Sequence, residues 1–171
     1  MQPLELYIHI PFCVKKCAYC DFLSGPAGEK EKEEYVKMLV DEIRNCPDAV
    51  QDYRVVSIFF GGGTPSLLTG EQIGRLMDTV REIFTLDEDA EITMEMNPGT
   101  VTEEKLRRYR QAGVNRLSIG LQSVNDEELR LLGRIHTYEE FLEAYHLARA
   151  NGFSNINVDL ISAIPGQTVE S

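Results

Sequence analysis

The sequence predicts an α/β fold in the form of a partial TIM-like (β/α) barrel that stops after about five βα units. Two observations indicate this fold. Segments with strand and helix patterns alternate from one end of the 171 residues to the other, and repeated βα units favour right-handed crossovers and a parallel sheet. All predicted strands except the second also place apolar residues on one face and polar residues on the other.

The strands are predicted from short segments in which apolar and polar residues alternate. They cover residues 4–10, 55–60, 91–96, 116–121 and 155–161. In the first strand, one face is apolar and consists of Leu4, Leu6, Ile8 and Ile10. The other face is polar and consists of Glu5, Tyr7 and His9. The second strand is mixed, with two opposed sets: Ser57, Phe59 and Gly61, and Val56, Ile58 and Phe60.

The helices are predicted between these strands, at residues 29–45, 71–84, 102–112, 125–132 and 138–150. Residue types that favour helix ends support the boundaries. Thr69 and Thr102 stand where N-caps are expected, since a threonine hydroxyl can accept a hydrogen bond from the first turn. Gly113 and Gly152 follow helices, where a left-handed backbone is common.

The polar faces of the strands distinguish this sheet from a closed barrel. A closed eight-stranded barrel fills its centre with branched apolar side chains, whereas unpaired buried polar groups cost about 1–3 kcal/mol each. The pattern therefore favours a wide, partly open barrel with a polar ligand inside. The alternative is a one-sided sheet with a solvated face. Because five strands cannot close a barrel, we expect residues 1–171 to be an incomplete domain of a longer protein.

Charge and composition indicate which partners are unfavourable and in which compartment the protein is expected. A net charge of −11 disfavours nucleic acid and anionic membrane surfaces. The sequence has no apolar run long enough for a transmembrane segment and no secretory signal pattern, so we expect a cytoplasmic protein. In a reducing compartment, three clustered cysteines indicate a metal or redox site. Cys46 stands apart and is expected to pack under a helix end.

The three clustered cysteines form a CxxxCxxC loop directly after the first strand, with Cys13, Cys17 and Cys20. Three thiolates on one short loop can ligate three irons of a [4Fe–4S] cluster and leave the fourth iron open. The neighbouring lysines at positions 15 and 16 favour the thiolate form. The alternative is a zinc site with the three cysteines and His9.

A glycine loop and several polar residues follow the other strands. Residues 61–65, GGGTP, let the main chain approach a ligand closely, although a tight βα turn would need the same residues. The spacing matches neither a P-loop nor a dinucleotide fingerprint. Glu95 and Gln122 are the first candidates for ligand contacts, followed by Asp159 and Arg134. His136 is expected only to cap or pack.

With these motifs in place, the chain resembles the radical S-adenosylmethionine (SAM) superfamily. More narrowly, four segments in order resemble the oxygen-independent coproporphyrinogen III oxidase group: residues 7–13 (YIHIPFC), 61–66 (GGGTPS), 120–123 (GLQS) and 158–161 (VDLI). The resemblance implies that residues 1–171 are a radical SAM core domain, with the rest of the barrel and the C-terminal domain absent.

The resemblance also implies cofactors and their contacts. Cys13, Cys17 and Cys20 would ligate an oxygen-sensitive [4Fe–4S] cluster, with SAM on the open iron and an external one-electron donor. The residues that match SAM contacts of this group are Tyr7, Gly62, Gly63, Thr64, Glu95, Gln122, Arg134 and Asp159.

One departure from the group pattern directs the functional hypothesis. The true oxidases resemble CxxxCxxCxC, but Phe22 occupies the position of the fourth cysteine. This pattern resembles the HemW branch of haem chaperones, whose haem-binding signature would lie beyond Ser171. The leading hypothesis is a cluster- and SAM-binding protein that passes haem to an acceptor protein. The alternatives are an oxygen-independent coproporphyrinogen III oxidase of porphyrin biosynthesis and a zinc-binding structural module.

Overall fold

The computed structural model of the protein describes residues 1–168, apart from the side chains at positions 48 and 49. Five parallel strands form one open sheet in the order β1-β2-β3-β4-β5, so each βα unit adds its strand beside the preceding one. The predicted α/β fold with a parallel sheet is therefore confirmed. The strands are β1 (Gln2–Ile10), β2 (Tyr53–Gly62), β3 (Thr85–Met96), β4 (Arg116–Gln122) and β5 (Asn155–Leu160).

The helices lie between the strands in chain order. They are α1 (Glu29–Arg44), α2 (Gly70–Ile83), α3 (Glu103–Ala112), α4 (Asp126–Leu132) and α5 (Tyr138–Ala150). Two short 3₁₀ turns, Asp48–Asp52 and Pro65–Leu67, were not predicted from the sequence.

The helix ends follow from the residue types predicted there. Thr69 accepts a hydrogen bond from Gln72 N at 3.2 Å, and the Gln72 side chain accepts one from Thr69 N at 2.9 Å, which completes a capping box. Thr102 accepts a hydrogen bond from Lys105 N at 3.3 Å and caps α3. Gly113 ends α3 with φ 108°, in the left-handed region where glycine carries no Cβ penalty.

The core lies between the sheet and the helices. The apolar side chains of β1 become more buried towards its carboxyl end, where Ile8 and Ile10 are buried. Met94 and Leu117 extend the same layer across β3 and β4, and Leu76 of α2 covers it. The strand faces predicted from the alternation in β1, β3 and β4 are the faces that the helices cover.

Two strands depart from the prediction. In β2, Leu4 pairs with Val55 and Glu5 pairs with Ser57, so Val56 is an extra residue in a bulge. The prediction that Val56 shares a face with Ile58 and Phe60 was therefore wrong, and fully buried Val55 lies in the core instead. Strand β3 begins at Thr85, six residues before the predicted start, because its first residues pair with Arg54 and Val55 of β2.

Within residues 1–168, no helix is both long enough and apolar enough to cross a membrane.

Candidate functional site

The carboxyl ends of the strands open onto a polar cavity of about 470 Å³. Ten of the eleven residues predicted for the site line this cavity, and the exception is Tyr7. The side chains converge because parallel strands all end at the same edge of the sheet. The predicted residues in the lining are Cys13, Cys17, Cys20, Gly62, Gly63, Thr64, Glu95, Gln122, Arg134 and Asp159.

The cysteine loop leaves β1 and is closed at its base by main-chain hydrogen bonds. Cys13 N donates to Gly25 O at 2.9 Å, and Gly25 N donates to Pro11 O at 3.0 Å. A third main-chain bond, from Ala18 N to Leu132 O at 3.0 Å, attaches the loop to the end of α4. The loop thus holds its three cysteines over the cavity from two sides. All three are free and half-buried.

Two of the three sulfur atoms have a hydrogen-bond donor from another part of the chain. The Thr64 hydroxyl donates to Cys13 Sγ at 3.7 Å, and Arg134 Nη1 donates to Cys17 Sγ at 3.7 Å. Such donors stabilise negative charge on sulfur. Among residues 1–168, no three His, Cys, Asp or Glu side chains are grouped closely enough to hold a single metal ion.

The donor set fits the cluster that the sequence predicts. Three free cysteines on one loop provide thiolate ligands for three irons. In addition, Arg134 Nε is buried and has no hydrogen-bond partner in the described part of the chain, so a polar group of the guanidinium remains available beside the sulfurs.

The glycine loop lies against the cysteine loop, main chain to main chain. Gly63 N donates to Ile10 O at 2.8 Å, and a Cβ at Gly63 would lie 2.6 Å from Phe12 O. Gly62 has φ 111°, and a Cβ there would lie 2.5 Å from the His9 ring. Both positions therefore require glycine, because a side chain would collide with the cysteine loop or with His9. A tight βα turn, the alternative explanation of these glycines, would not by itself require this.

Glu95 connects the glycine loop to the middle of the sheet. Its Oε2 accepts a hydrogen bond from Gly62 N at 3.1 Å. Burial raises the pKa of the Glu95 carboxyl, the Gly62 N–H opposes that shift, and the negative charge of Asp159 adds to it. A cationic ligand in the cavity would stabilise the carboxylate form of Glu95.

The floor of the cavity is a polar network across β4 and β5. Ser118 donates to Asp159 Oδ2 at 3.0 Å, and Asn157 Nδ2 donates to Asp159 Oδ1 at 2.7 Å and to Ser118 Oγ at 3.0 Å. Gln122 ends β4 with φ 75°, a left-handed conformation that is uncommon outside glycine. The polar inner face predicted from the strand alternation is thus paired internally and faces the cavity.

Asn97, Ser118 and Asn157 are among the lining residues that were not predicted for the site. Ser118 and Asn157 alternate with apolar residues in the sequence of β4 and β5, and this alternation was the available signal for them. Asn97 follows β3 directly and precedes a proline, a combination typical of an ordinary turn.

Tyr7 lies beside the cavity and outside its lining. Its ring stacks on Phe59 with centroids 6.1 Å apart, and its hydroxyl lies 3.2 Å from His9 Nδ1. The Tyr7 side chain is largely exposed. The structure therefore places Tyr7 on the predicted face of β1, beside the cavity that the other ten residues line.

His9 uses both ring nitrogens within the chain. Nε2 lies 3.2 Å from Leu23 O, which can only accept, so this nitrogen carries the hydrogen. Nδ1 then accepts from the Tyr7 hydroxyl. A zinc site that includes His9 would have to break one of these contacts.

Two residues expected to have structural roles have them. Cys46 packs at the margin of the core and donates to Glu42 O at 3.8 Å. His136 is buried, and its Nε2 lies 3.3 Å from Leu121 O.

A larger groove of about 730 Å³ runs between α2 and α3 on the outer, helical side. Its lining mixes acidic and basic side chains, among them Arg75, Asp78 and Lys105, and contains no cysteine.

The parallel sheet, the three-cysteine loop and the glycine loop together define a radical SAM protein, and comparison with known proteins agrees. The model of the Radical SAM superfamily matches residues 7–171, and the chain belongs to this superfamily. Membership implies a [4Fe–4S] cluster and SAM.

Within the superfamily, the chain is similar to haem-related proteins. It is 48% identical over 171 residues to the heme chaperone HemW of Escherichia coli (strain K12). The match covers 99% of this chain and 45% of that protein. It is 40% identical to the oxygen-independent coproporphyrinogen III oxidase of Salmonella typhimurium, over 99% of this chain and 37% of that protein. The chain thus spans less than half the length of these relatives.

A solved structure supports the partial barrel. The coproporphyrinogen III oxidase HemN from Escherichia coli, a radical SAM enzyme, superposes with a TM-score of 0.91 at 38% identity. The match covers 99% of this chain and 39% of that one. The resemblance inferred from the motifs and the barrel-type fold are both confirmed.

Proposed function

We propose that this chain is the cofactor-binding part of a HemW-like haem chaperone that holds a [4Fe–4S] cluster on Cys13, Cys17 and Cys20. The observation that supports it most is the position of three free cysteines on the rim of a polar cavity, directly beside a glycine loop. The full-length protein would bind haem and pass it to an acceptor protein in the cytoplasm. Free cysteines are typical of that reducing compartment.

The charges in the cavity are complementary to SAM. SAM carries a positive sulfonium and a positive amino group, and Glu95 and Asp159 bring two carboxylates to the cavity. The carboxylate of SAM is matched by the guanidinium of Arg134. Gly62, Gly63 and Thr64 provide main-chain polar groups without bulk, and Gln122 and the neighbouring Tyr7 complete the proposed contacts.

The cofactors supply the redox chemistry, and the residues of this chain position them. The three cysteine ligands would leave one iron of a bound cluster open to SAM, and the cluster would supply one-electron chemistry with an external donor. The cysteine loop holds the cluster at the rim, and the donors on Cys13 Sγ and Cys17 Sγ stabilise thiolate charge.

Phe22 favours the chaperone over the oxidase. It occupies the position of the fourth cysteine in the oxidase pattern, and its side chain is 64% exposed at the cavity. The second candidate function, oxygen-independent coproporphyrinogen III oxidation, rests on the likeness to HemN and to the Salmonella protein.

Anaerobic reconstitution tests the cluster. The full-length protein should bind iron and sulfide and develop a broad absorbance near ~400 nm. Cys13→Ala should lose it, whereas Cys46→Ala should retain it because Cys46 lies at the core margin and outside the cavity. Tight zinc binding without this absorbance would favour the zinc module instead.

A second anaerobic assay separates the chaperone from the oxidase. The full-length protein with cluster, SAM, a one-electron donor and an electron acceptor is given haem and, separately, coproporphyrinogen III. Haem binding without conversion of propionate to vinyl groups is expected. Vinyl products would show that the oxidase function is correct and the chaperone proposal is not.

A further inference from the structure

Three side chains connect two of the cysteine sulfurs through a continuous path of four hydrogen bonds. Arg134 Nη2 donates to Asn97 Oδ1 at 2.6 Å, and Asn97 Nδ2 donates to Thr64 Oγ1 at 3.0 Å. The Thr64 hydroxyl then donates to Cys13 Sγ at 3.7 Å. From its other end, the same guanidinium donates to Cys17 Sγ through Nη1 at 3.7 Å.

The three hydrogen bonds between Arg134 and Cys13 are all donated in the direction of Cys13. Because Thr64 accepts a hydrogen bond from Asn97, its single hydroxyl hydrogen is free for the sulfur. Hydrogen bonds aligned in one direction polarise one another and strengthen the last bond. One positive charge therefore acts on two sulfurs, directly on Cys17 and through Asn97 and Thr64 on Cys13.

The backbone of Asn97 is fixed independently of the cavity. Asn97 N donates to Ser66 Oγ at 3.3 Å, and Asn97 O accepts from the Thr100 hydroxyl at 2.7 Å. The following residue is a proline, which restricts Asn97 to extended conformations. The side-chain amide is therefore held in place before any cofactor binds.

The fold also leaves room for this contact. A Cβ at Gly120 would lie 3.2 Å from both Asn97 Oδ1 and Arg134 Nη2, closer than ordinary van der Waals contact. The carbonyl of Gly120 accepts a second bond from Arg134 Nη2 at 2.6 Å. Glycine at this position lets the guanidinium and the amide meet.

From this geometry we infer that Asn97 is a positioning residue that sets the reduction potential of the proposed cluster. It couples the charge of Arg134 to the Cys13 thiolate through Thr64. The inference rests on the proposed cluster site. Hydrogen bonds to sulfur stabilise the more negative, reduced cluster and so raise its potential. Loss of the path should lower the potential.

The test is a redox titration of the reconstituted full-length protein, without SAM, followed by the electron paramagnetic resonance signal of the reduced cluster. Asn97→Ala should lower the reduced-to-oxidised ratio at a fixed potential about tenfold, which corresponds to about 59 mV for one electron. Thr64→Val should lower it in the same direction, and Thr64→Ser, which keeps the hydroxyl, should restore it.

Asn115→Ala is the matched control. The Asn115 side chain also makes two hydrogen bonds, accepting from Ile92 N and donating to Ala90 O, both at 2.8 Å. It lies outside the cavity lining. Its loss should lower the stability of the protein and leave the cluster potential unchanged.

Coupling through Thr64 is tested with the double variant. If the path is continuous, Asn97→Ala should shift the potential less in the Thr64→Val background than in the wild type. Equal shifts in both backgrounds, or an unchanged potential in Thr64→Val, would overturn the inference. If Asn97→Ala does not fold, the comparison of Thr64→Val with Thr64→Ser still decides. A wild-type protein that assembles no cluster would refute the proposed function instead.

Discussion

Gly62 ends β2 in a backbone conformation that a side chain would strain. Its φ is 111°, and a Cβ would lie 2.5 Å from the His9 ring, which Tyr7 and Leu23 hold in place. We expect Gly62→Ala to lower the free energy of unfolding by about 1–3 kcal/mol. Urea denaturation of the variant and the wild type measures the difference.

Gly74→Ala is the matched control for this change. Gly74 lies within α2, and a Cβ there would meet no atom within 4 Å. Alanine should raise the free energy of unfolding by about 0.5–1 kcal/mol, because glycine is the poorer helix former. Equal effects of the two substitutions would contradict the role assigned to the Gly62 backbone.

His136 makes the stability of the protein depend on pH. Burial, assisted by the charge of Arg134, lowers the pKa of His136 from its ordinary value of 6.5 to about 4. The unfolded chain therefore binds a proton on His136 between these pH values, and the folded chain does not. Its contribution to stability is complete above pH 6.5 and is lost as the pH falls towards 4.

The free energy of unfolding should differ less between pH 7 and pH 4 in His136→Gln than in the wild type. We expect the difference to shrink by on the order of 2 kcal/mol, which is the contribution of His136. Glutamine keeps a donor for Leu121 O. Urea denaturation at both pH values measures the effect. His146→Gln, on the exposed face of α5, is the control and should keep the wild-type difference. An unchanged pH dependence in His136→Gln would show that other groups cause it.

At the scale of elements, α3 holds the turn that follows the glycine loop. The Tyr109 hydroxyl donates its hydrogen to Leu68 O at 2.6 Å and lies 3.2 Å from Ser66 O, and Lys105 Nζ donates to Ser66 O at 2.9 Å. Burial raises the pKa of Tyr109, so its hydroxyl remains a donor at neutral pH. The helix thus fixes the chain just after Thr64.

Tyr109→Phe should therefore destabilise the protein by about 1–3 kcal/mol, because it leaves a buried carbonyl without its donor. Urea denaturation gives the change in stability, and near-ultraviolet circular dichroism checks that the fold is retained. A change below about 0.5 kcal/mol would mean that water replaces the hydroxyl.

Some of these elements could be predicted from the sequence and others could not. Strand β1 and the cap at Thr69 were predictable because alternation and capping are local patterns. The early part of β3 was not, because its acidic residues 87–89 have low strand propensity and only Thr85 and Leu86, before them, pair with β2.

The site follows the same rule. The cysteine and glycine loops were predictable because each motif lies within a short segment of the sequence. Asn97 was not, because its importance arises from contacts with Thr64 and Arg134, 33 and 37 residues away. The bulge at Val56 was missed because a one-residue register shift depends on the neighbouring strand.

At the largest scale, residues 1–168 form an open sheet with an edge strand at each end, β1 and β5. Exposed strand edges carry unpaired main-chain groups and promote association with other chains. At the end of β5, Leu160 is 66% exposed, which adds an apolar side chain to this edge. In the chain of residues 1–171, both features favour low stability and association through β5.

We expect residues 1–171, prepared without cofactors, to associate as the protein concentration rises and to unfold at moderate temperature. Leu160→Lys should reduce the association, because a charge on an edge strand opposes pairing with another edge. Its effect on the unfolding free energy should stay within about 0.5 kcal/mol, since the side chain is exposed. Light scattering and thermal denaturation measure the two quantities separately. A wild-type chain that stays monomeric at high concentration and melts cooperatively at high temperature would show that the open sheet is stable without further strands.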